Sequence, residues 1–195
     1  MRIESITIEN FKVFKETTVK DLSKMAVLLG TNGSGKSSFF DVFGFLSDAL
    51  QNNVTIALNR RGGFPEVISR GANINKDHIK FEIKFRNEQV GNEHSPLITY
   101  SISIGFKNGK AFIIREILKY RRGQRTGKPW HFLDLKNGEG YAIENEEEYG
   151  QEGVKEKRIN QKVTSPDSLA IKGLGQFEQF KAVSALRSLL EKGYV

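Results

Sequence analysis

An eight-residue stretch near the N-terminus constrains the fold of this chain more than any other feature. Residues 30 to 37 read Gly-Thr-Asn-Gly-Ser-Gly-Lys-Ser and match the pattern G-x-x-x-x-G-K-[ST]. The short apolar run at residues 25 to 29 predicts a strand that is buried on both faces. From Ser37 onward, apolar residues recur at spacings of three and four and predict a helix of about four turns. Strand, glycine-rich loop and helix in this order are the arrangement of a phosphate-binding loop.

The loop predicts a nucleotide site because its backbone and side chains suit a polyphosphate. We expect its N–H groups to surround a β-phosphate, helped by the positive N-terminal end of the helix. Lys36 would offer its ammonium group to the β- and γ-phosphates, Ser37 would complete the shell of a Mg²⁺ ion, and Ser38 offers a hydroxyl to the α-phosphate. A Gly/Ser turn that merely precedes a helix is the alternative. The predicted nucleotide-binding residues are Asn32, Gly33, Ser34, Gly35, Lys36, Ser37 and Ser38, with Ser37 as the metal ligand.

A phosphate loop holds a nucleotide, but hydrolysis also needs a strand-end acid for Mg²⁺ and a group that positions water. In the best candidate for the acid, residues 130 to 134, Asp134 is followed by Leu135 instead of a second acid. Residues 172 to 176 superficially resemble an ABC-type signature loop, but the Leu-Ser opening of that loop is missing. We therefore assign no catalytic residue in this chain.

Most of the remaining chain alternates apolar and polar residues with the period of a half-buried strand. Runs of this kind occupy residues 6–8, 13–19, 78–85, 97–106, 111–120, 130–135 and 141–143. Asn108-Gly109 between two of these runs is a strong hairpin signal. Residues 145 to 168 are polar and predict no regular element, whereas the apolar spacing from Phe180 to Leu190 predicts a closing helix. The expected fold is mixed α/β and rich in β structure, with antiparallel strands beside the strand and helix that flank the loop.

Composition excludes several classes of protein. The chain has 195 residues, enough for one domain, and its 0 cysteines exclude a disulfide framework, a cysteine nucleophile and a thiolate zinc site. The absence of cysteine also suits a reducing compartment, so we expect a cytoplasmic protein. No apolar run approaches the length of a membrane span or of a signal peptide core.

The net charge of +7 favours an anionic partner. Residues 107 to 136 alone carry a net charge of +7, and residues 139 to 156 carry −6. The two blocks either pair with each other across a hairpin or loop, or the first forms a basic surface for a ligand such as nucleic acid. A nucleic-acid module would show an affinity that falls steeply with salt.

Several segments together resemble a known family. The turn Phe11-Lys12-Val13-Phe14 and the loop at residues 29 to 38 resemble the N-terminal lobe of a RecF/SMC-like ABC-type ATPase, more specifically that of the bacterial AAA-family, RecF-like ATPases. The closer resemblance spans essentially the whole chain. It depends on residues 60–64, 120–123, 127–134, 137–140, 165–167 and 173–177.

The resemblance implies a partner. In such ATPases a second lobe carries the signature loop and the Walker B acids, and two heads enclose ATP and Mg²⁺ between them. We expect residues 1 to 195 to form the first lobe alone and to associate with a second lobe or a second copy through an uncovered sheet edge and apolar face.

The resemblance also implies residue roles. Lys12 matches a position from which a basic side chain reaches the nucleotide in these relatives, although an ordinary surface lysine is the alternative. Relatives place a magnesium-contacting glutamine after the first helix, but residues 52 to 88 contain no glutamine. A small kinase with a phosphate loop is a further alternative, although its loop would usually follow the first strand directly.

Overall fold

The computed structural model describes residues 2–22, 27–86, 96–121, 130–148, 151, 153–174 and 180–191. The strands are β1 (Arg2–Phe11), β2 (Phe14–Lys20), β3 (Ile79–Arg86), β4 (Leu97–Lys107), β5 (Lys110–Arg121), β6 (His131–Lys136), β7 (Glu139–Ile143) and β8 (Arg158–Lys162). The helices are α1 (Lys36–Gln51), α2 (Val54–Asn59), α3 (Phe64–Val67), α4 (Ala170–Leu174) and α5 (Lys181–Glu191), and a 3-10 turn covers Glu146–Glu148.

All eight strands form one antiparallel sheet in the order β2-β1-β3-β4-β5-β6-β7-β8. Side chains alternate between the two faces of such a sheet, and one face is lined by buried apolar residues. The core positions of the central strands include Ile6, Ile8, Phe81, Ile83, Tyr100, Ile102 and Leu118. The sheet therefore has a helix-covered face and a polar open face.

Two-residue turns connect β4 to β5 and β6 to β7. Asn108 and Gly109 have φ values of 52° and 75°, and Asn137 and Gly138 have 50° and 81°. Positive φ at both central residues is the geometry of the type I′ turn that Asn-Gly favours. The hairpin predicted at Asn108-Gly109 is thus confirmed.

Helix α1 lies against the core face because its apolar residues form one stripe. Phe39, Val42, Phe43, Leu46 and Leu50 are all buried. Helices α2, α4 and α5 contact α1. The predicted helix after the loop is confirmed over four turns, and its phenylalanines serve mainly as core residues.

Helix α4 is fixed to the sheet by a buried carboxylate. Glu116 of β5 accepts hydrogen bonds from the N–H groups of Ala170 (2.7 Å) and Ile171 (3.2 Å) and from the Tyr100 hydroxyl (3.2 Å). Burial raises the pKa of Glu116 to about 7, although these hydrogen bonds act in the opposite direction. A helix that would otherwise expose unpaired N–H groups to the core is therefore capped from the sheet.

Helix α5 is attached in the same way. Glu146 accepts hydrogen bonds from the Tyr120 hydroxyl (2.9 Å) and from the N–H group of Ala182 (2.6 Å). Burial raises its pKa to about 7 as well. Two buried glutamates thus hold the two C-terminal helices on the sheet.

The C-terminal end of α1 is held by a lysine of α4. The Lys172 ammonium group donates to the carbonyl oxygens of Gln51 (3.1 Å) and Asn52 (2.7 Å). A cation at this end suits the helix dipole and satisfies carbonyl groups that lack intrahelical partners. The position of α4 therefore influences the helix that begins at the glycine-rich loop.

The strand predicted before the loop is not found in its described part. Residues 27 to 29 are not in a strand, and Val27 and Leu29 are 71% and 90% exposed. The prediction is wrong there because none of the described strands pairs with this run: Val27 and Leu29 lie in water, and only Leu28 packs partly against the core. Residues 25 and 26 lie outside the described residues.

Several short elements were not predicted, β8 and α4 among them. β8 has the polar sequence RINQK and lies at the sheet edge, so its apolar signal is weak, and its pairing with β7 defines it. α4 has only five residues and depends on the Glu116 cap. In the described part of the chain, no helix has the length and apolar character needed to cross a membrane.

Candidate nucleotide-binding loop

The glycine-rich loop ends at the N-terminus of α1, and its residues 30 to 34 are exposed. Gly35 precedes the helix with a φ of 94° and provides no side-chain cap. The N–H of Phe39 donates to the Gly35 carbonyl (2.8 Å) and starts the helical ladder. Residues 36 to 38 form the start of α1, and their N–H groups have no acceptor among the described residues. The loop thus presents several donors to solvent at the positive end of a four-turn helix.

Lys36 folds over its own loop. Its ammonium group donates to the carbonyl oxygens of Gly30 (2.7 Å) and Thr31 (2.8 Å) and to the Ser34 hydroxyl (3.3 Å). All three acceptors are neutral, so within the described part of the chain the positive charge has no counter-charge. An anion at the loop would supply one.

The β1–β2 turn packs against the loop. A Cβ atom placed on Gly35 would lie 3.1 Å from the Val13 side chain and 3.2 Å from the Phe14 ring. Gly35 therefore serves two purposes: it adopts a positive φ, and it allows the turn to approach closely. The contact brings the turn that contains Lys12 to the base of the loop.

The two central glycines provide a matched test of this packing. Gly35→Ala should lower the free energy of unfolding by about 2 kcal/mol, because a Cβ there meets both backbone strain and the β1–β2 turn. Gly33→Ala should cost about 1 kcal/mol, since Gly33 has a φ of 82° but no atom within 4 Å of its Cβ position. Urea denaturation of both variants measures the difference. Equal losses would contradict the packing role of Gly35.

Lys12 contacts α1 instead of extending into solvent. Its ammonium group forms an ion pair with Asp41 Oδ2. Asp41 Oδ1 accepts a hydrogen bond from Arg61 Nε (2.8 Å), and Arg61 Nη1 reaches Asp48 Oδ2 (2.7 Å). Arg61 also lies over the Phe45 ring, 5.6 Å from its centre. A chain of alternating charges therefore runs along the face of α1 that begins at Ser37.

The structure brings residues 32 to 38 together in one loop and places the turn of Lys12 against it. Sequence reasoning missed Asp41 and Arg61. A signal for Asp41 was available, because it follows Ser37 by four residues and so shares its helix face. Arg61 is separated from α1 by a further helix, and only the fold brings it there.

Asp134 has structural partners on the open face of the sheet. Arg115 donates two hydrogen bonds to it (3.1 and 3.0 Å), and His131 lies 3.2 Å away. Burial opposes the effect, but Arg115 and His131 lower the pKa of Asp134 overall. The described residues contain no cluster of three or more acidic, histidine or cysteine side chains that suits a metal. Residues 175 and 176 of the signature-like segment lie outside the described residues.

The two charged blocks do not pair with each other where they are described. Glu139, Glu144 and Glu156 form ion pairs with Lys162, Lys157 and Arg158, which all follow the acidic block. No ion pair joins residues 107–136 to residues 139–156 within the described ranges. Binding of nucleic acid by the basic segment stays a prediction.

A glycine-rich loop followed by Lys36 and Ser37 at the start of the first long helix is the sequence pattern of P-loop proteins. The family model described as "AAA ATPase domain" matches residues 1–180. The chain belongs to the AAA ATPase domain family.

Two curated relatives and one solved structure show how far the similarity extends. The chain is 27% identical over 182 residues to structural maintenance of chromosomes protein 3 of Caenorhabditis elegans, covering 88% of this chain and 12% of the relative. It is 36% identical over 85 residues to the DNA double-strand break repair Rad50 ATPase of Sulfolobus acidocaldarius, covering 43% and 9%. A structure from a study of ATP-driven dimerization and DNA-stimulated activation of SMC ATPases aligns with a TM-score of 0.42 and 21% identity, over 64% of this chain and 73% of that one. The chain thus spans about a tenth of the length of these curated relatives.

Proposed function

We propose that this chain is the ATP-binding lobe of a RecF/SMC-like ABC-type ATPase. It binds Mg-ATP at residues 30 to 38 and requires a second lobe or subunit for hydrolysis. The observation that carries the proposal is the Lys36 ammonium group, which lies among neutral oxygen atoms of the loop. The adjoining helical turn presents N–H groups that have no acceptor in the described ranges. Such a site attracts a polyphosphate because, among the described residues, neither its charge nor its donors have an anionic partner.

The residues of the loop have different roles in the proposed binding. Backbone N–H groups from Asn32 to Ser38 would contact the phosphates, and Lys36 would exchange carbonyl acceptors for phosphate oxygens. Ser37 would hold Mg²⁺, a hard cation that takes oxygen ligands and retains several waters. The ion would neutralise phosphate charge when bound, and its other ligands would be phosphate oxygens and water.

Exposed apolar residues beside the loop support the need for a partner. Val27 and Leu29 lead into the loop, and Phe40 of α1 is 49% exposed. Large exposed apolar side chains favour coverage by another protein surface. Because no Walker B acid was identified in the sequence, we expect the partner surface to contribute the groups for hydrolysis.

Calorimetric titration of the full chain tests the proposal. Mg-ATP should bind, AMP should not, and removal of Mg²⁺ with EDTA should weaken ATP binding, since Ser37 would then have no ion to hold. Phosphate release by the chain alone should be negligible. Equal binding of ATP and AMP would exclude a site for the phosphate chain, and rapid turnover by the chain alone would exclude the need for a partner.

A further inference from the structure

We infer that Asp41 is a positioning residue that restrains Lys12 beside the loop and thereby lowers the nucleotide affinity of the resting chain. The inference rests on the proposed function and concerns the regulation of the same site. Three features of the ion-pair network support it: the location of Asp41, the unequal bonding of its two oxygens, and the balance of charge.

Asp41 lies close to the phosphate loop along α1. It follows Ser37 by four residues, so the two side chains lie on the same face of the helix, about one turn or 5–6 Å apart. Lys12 approaches from the β1–β2 turn, whose next two residues pack on Gly35. The ion pair therefore forms where a loop-bound polyphosphate would compete with Asp41 for the same ammonium group.

The two carboxylate oxygens of Asp41 are held differently. Oδ1 accepts an aligned hydrogen bond from Arg61 Nε (2.8 Å). Oδ2 is buried, and the Lys12 ammonium group contacts it in an ion pair; no other partner of Oδ2 is found in the described residues. Each oxygen of Asp41 therefore faces a different cation, and the hydrogen bond from Arg61 to Oδ1 does not depend on Lys12.

Arg61 is fixed in place and remains to neutralise Asp41 when Lys12 leaves. Its side chain is 11% exposed, and Nη1 donates to Asp48 (2.7 Å) and to the Ala57 carbonyl (2.9 Å). Gly44 lets the guanidinium group lie close to α1, since a Cβ at Gly44 would be 3.1 Å from Arg61 Nη2.

The network contains one more cation than it has carboxylates. Asp41 and Asp48 face three cations, Lys12, Arg60 and Arg61. Once Lys12 departs, two carboxylates face two arginines and the charges balance. Lys12 is thus the cation that the network can release to an incoming anion.

Asp41→Asn should therefore strengthen Mg-ATP binding by about three- to fivefold. The substitution removes the competitor for Lys12 and a negative charge near the phosphates, and a partly exposed ion pair is worth up to about 1 kcal/mol, which corresponds to that factor. A residue that only supported the structure would lower affinity when changed. An increase in affinity is therefore the distinguishing result.

Four variants of the full chain, each titrated with Mg-ATP, test the inference. Asp41→Glu retains the charge and should keep the wild-type affinity, and Lys12→Met/Asp41→Asn should lose the gain. Asp48→Asn is the matched control, because it removes a carboxylate from the same Arg61 but has no contact with Lys12, and it should leave affinity nearly unchanged. Thermal unfolding in parallel verifies that each variant is folded.

The outcomes separate this inference from the proposed function. Wild-type binding without a gain in Asp41→Asn, a gain that persists without Lys12, or an equal gain in Asp48→Asn would overturn the role of Asp41 and leave the ATP site intact. Failure of the wild type and every variant to bind Mg-ATP would overturn the proposed function and this inference with it.

Discussion

Lys36→Ala should weaken Mg-ATP binding by roughly 100-fold, which is the largest effect on binding that we expect from one substitution in this chain. Charge-assisted hydrogen bonds contribute about 1.5–3 kcal/mol each, and loss of the ammonium group would remove the contacts that we propose to two phosphates. Part of their energy is offset, because the resting lysine already donates to Gly30, Thr31 and Ser34. The three neutral acceptors are solvent-exposed, so water replaces the lysine when it is lost. Isothermal titration calorimetry measures the change.

The stability of the same variant serves as its control. Since the acceptors of Lys36 lie in an exposed loop, Lys36→Ala should change the free energy of unfolding by less than about 1 kcal/mol. Lys76→Ala, at another exposed lysine, should change neither binding nor stability. Unchanged ATP affinity in Lys36→Ala would contradict the proposed site, and a large loss of stability would show that the lysine has a structural role.

Glu116→Ala should destabilise the fold by about 3 kcal/mol, the largest loss of stability among our predictions. The substitution leaves the N–H groups of Ala170 and Ile171 and the Tyr100 hydroxyl buried without their acceptor, and each such group costs about 1–3 kcal/mol. The loss should extend to the end of α1, because Lys172 of the detached α4 holds the Gln51 and Asn52 carbonyls. Urea denaturation and amide hydrogen exchange at the C-terminal end of α1 measure these two effects.

Glu116→Gln is the matched control, and pH supplies a second measurement. A pKa raised to about 7 in the folded protein means that the protonated carboxyl is favoured there. Its contribution to stability is therefore complete below the unfolded pKa of 4.5 and is lost as pH rises through about 7. Glutamine retains an acceptor and cannot ionise, so this variant should lose less stability than alanine and show a shallower decline between those pH values. An unchanged pH profile would contradict the raised pKa of Glu116.

The parts of the fold that sequence predicts well are those determined by local pattern. The stripe of phenylalanines after Ser37 specified α1, and Asn108-Gly109 specified the β4–β5 turn, because each depends on residues close in sequence. The buried strand predicted at residues 27 to 29 is wrong because a short apolar run indicates burial only when a neighbouring strand is available. The opposite error concerns β8, a polar segment that was not predicted to be a strand. It is a strand because it pairs with β7, and its own sequence does not indicate that pairing.

The same distinction between local patterns and contacts made by the fold applies to the candidate site. The glycine-rich loop is contiguous, so its residues were readable directly from the pattern. The ion pairs that join Lys12, Asp41 and Arg61 connect residues 20 or more positions apart, and no local pattern reports such contacts. Glu116 was likewise hidden, because a glutamate in a strand is usually solvent-facing and only the arrival of α4 explains its burial.

The exposure of the segment before the loop, residues 27 to 29, affects how the loop can bind a ligand. At its downstream side the loop is anchored in the core through α1, whereas Val27 and Leu29 at its upstream side lie in water. A surface that covered these two side chains would fasten the loop at both ends and reduce the freedom it loses when it wraps an anion. Ligand binding and docking of the covering surface would then strengthen each other by the same factor.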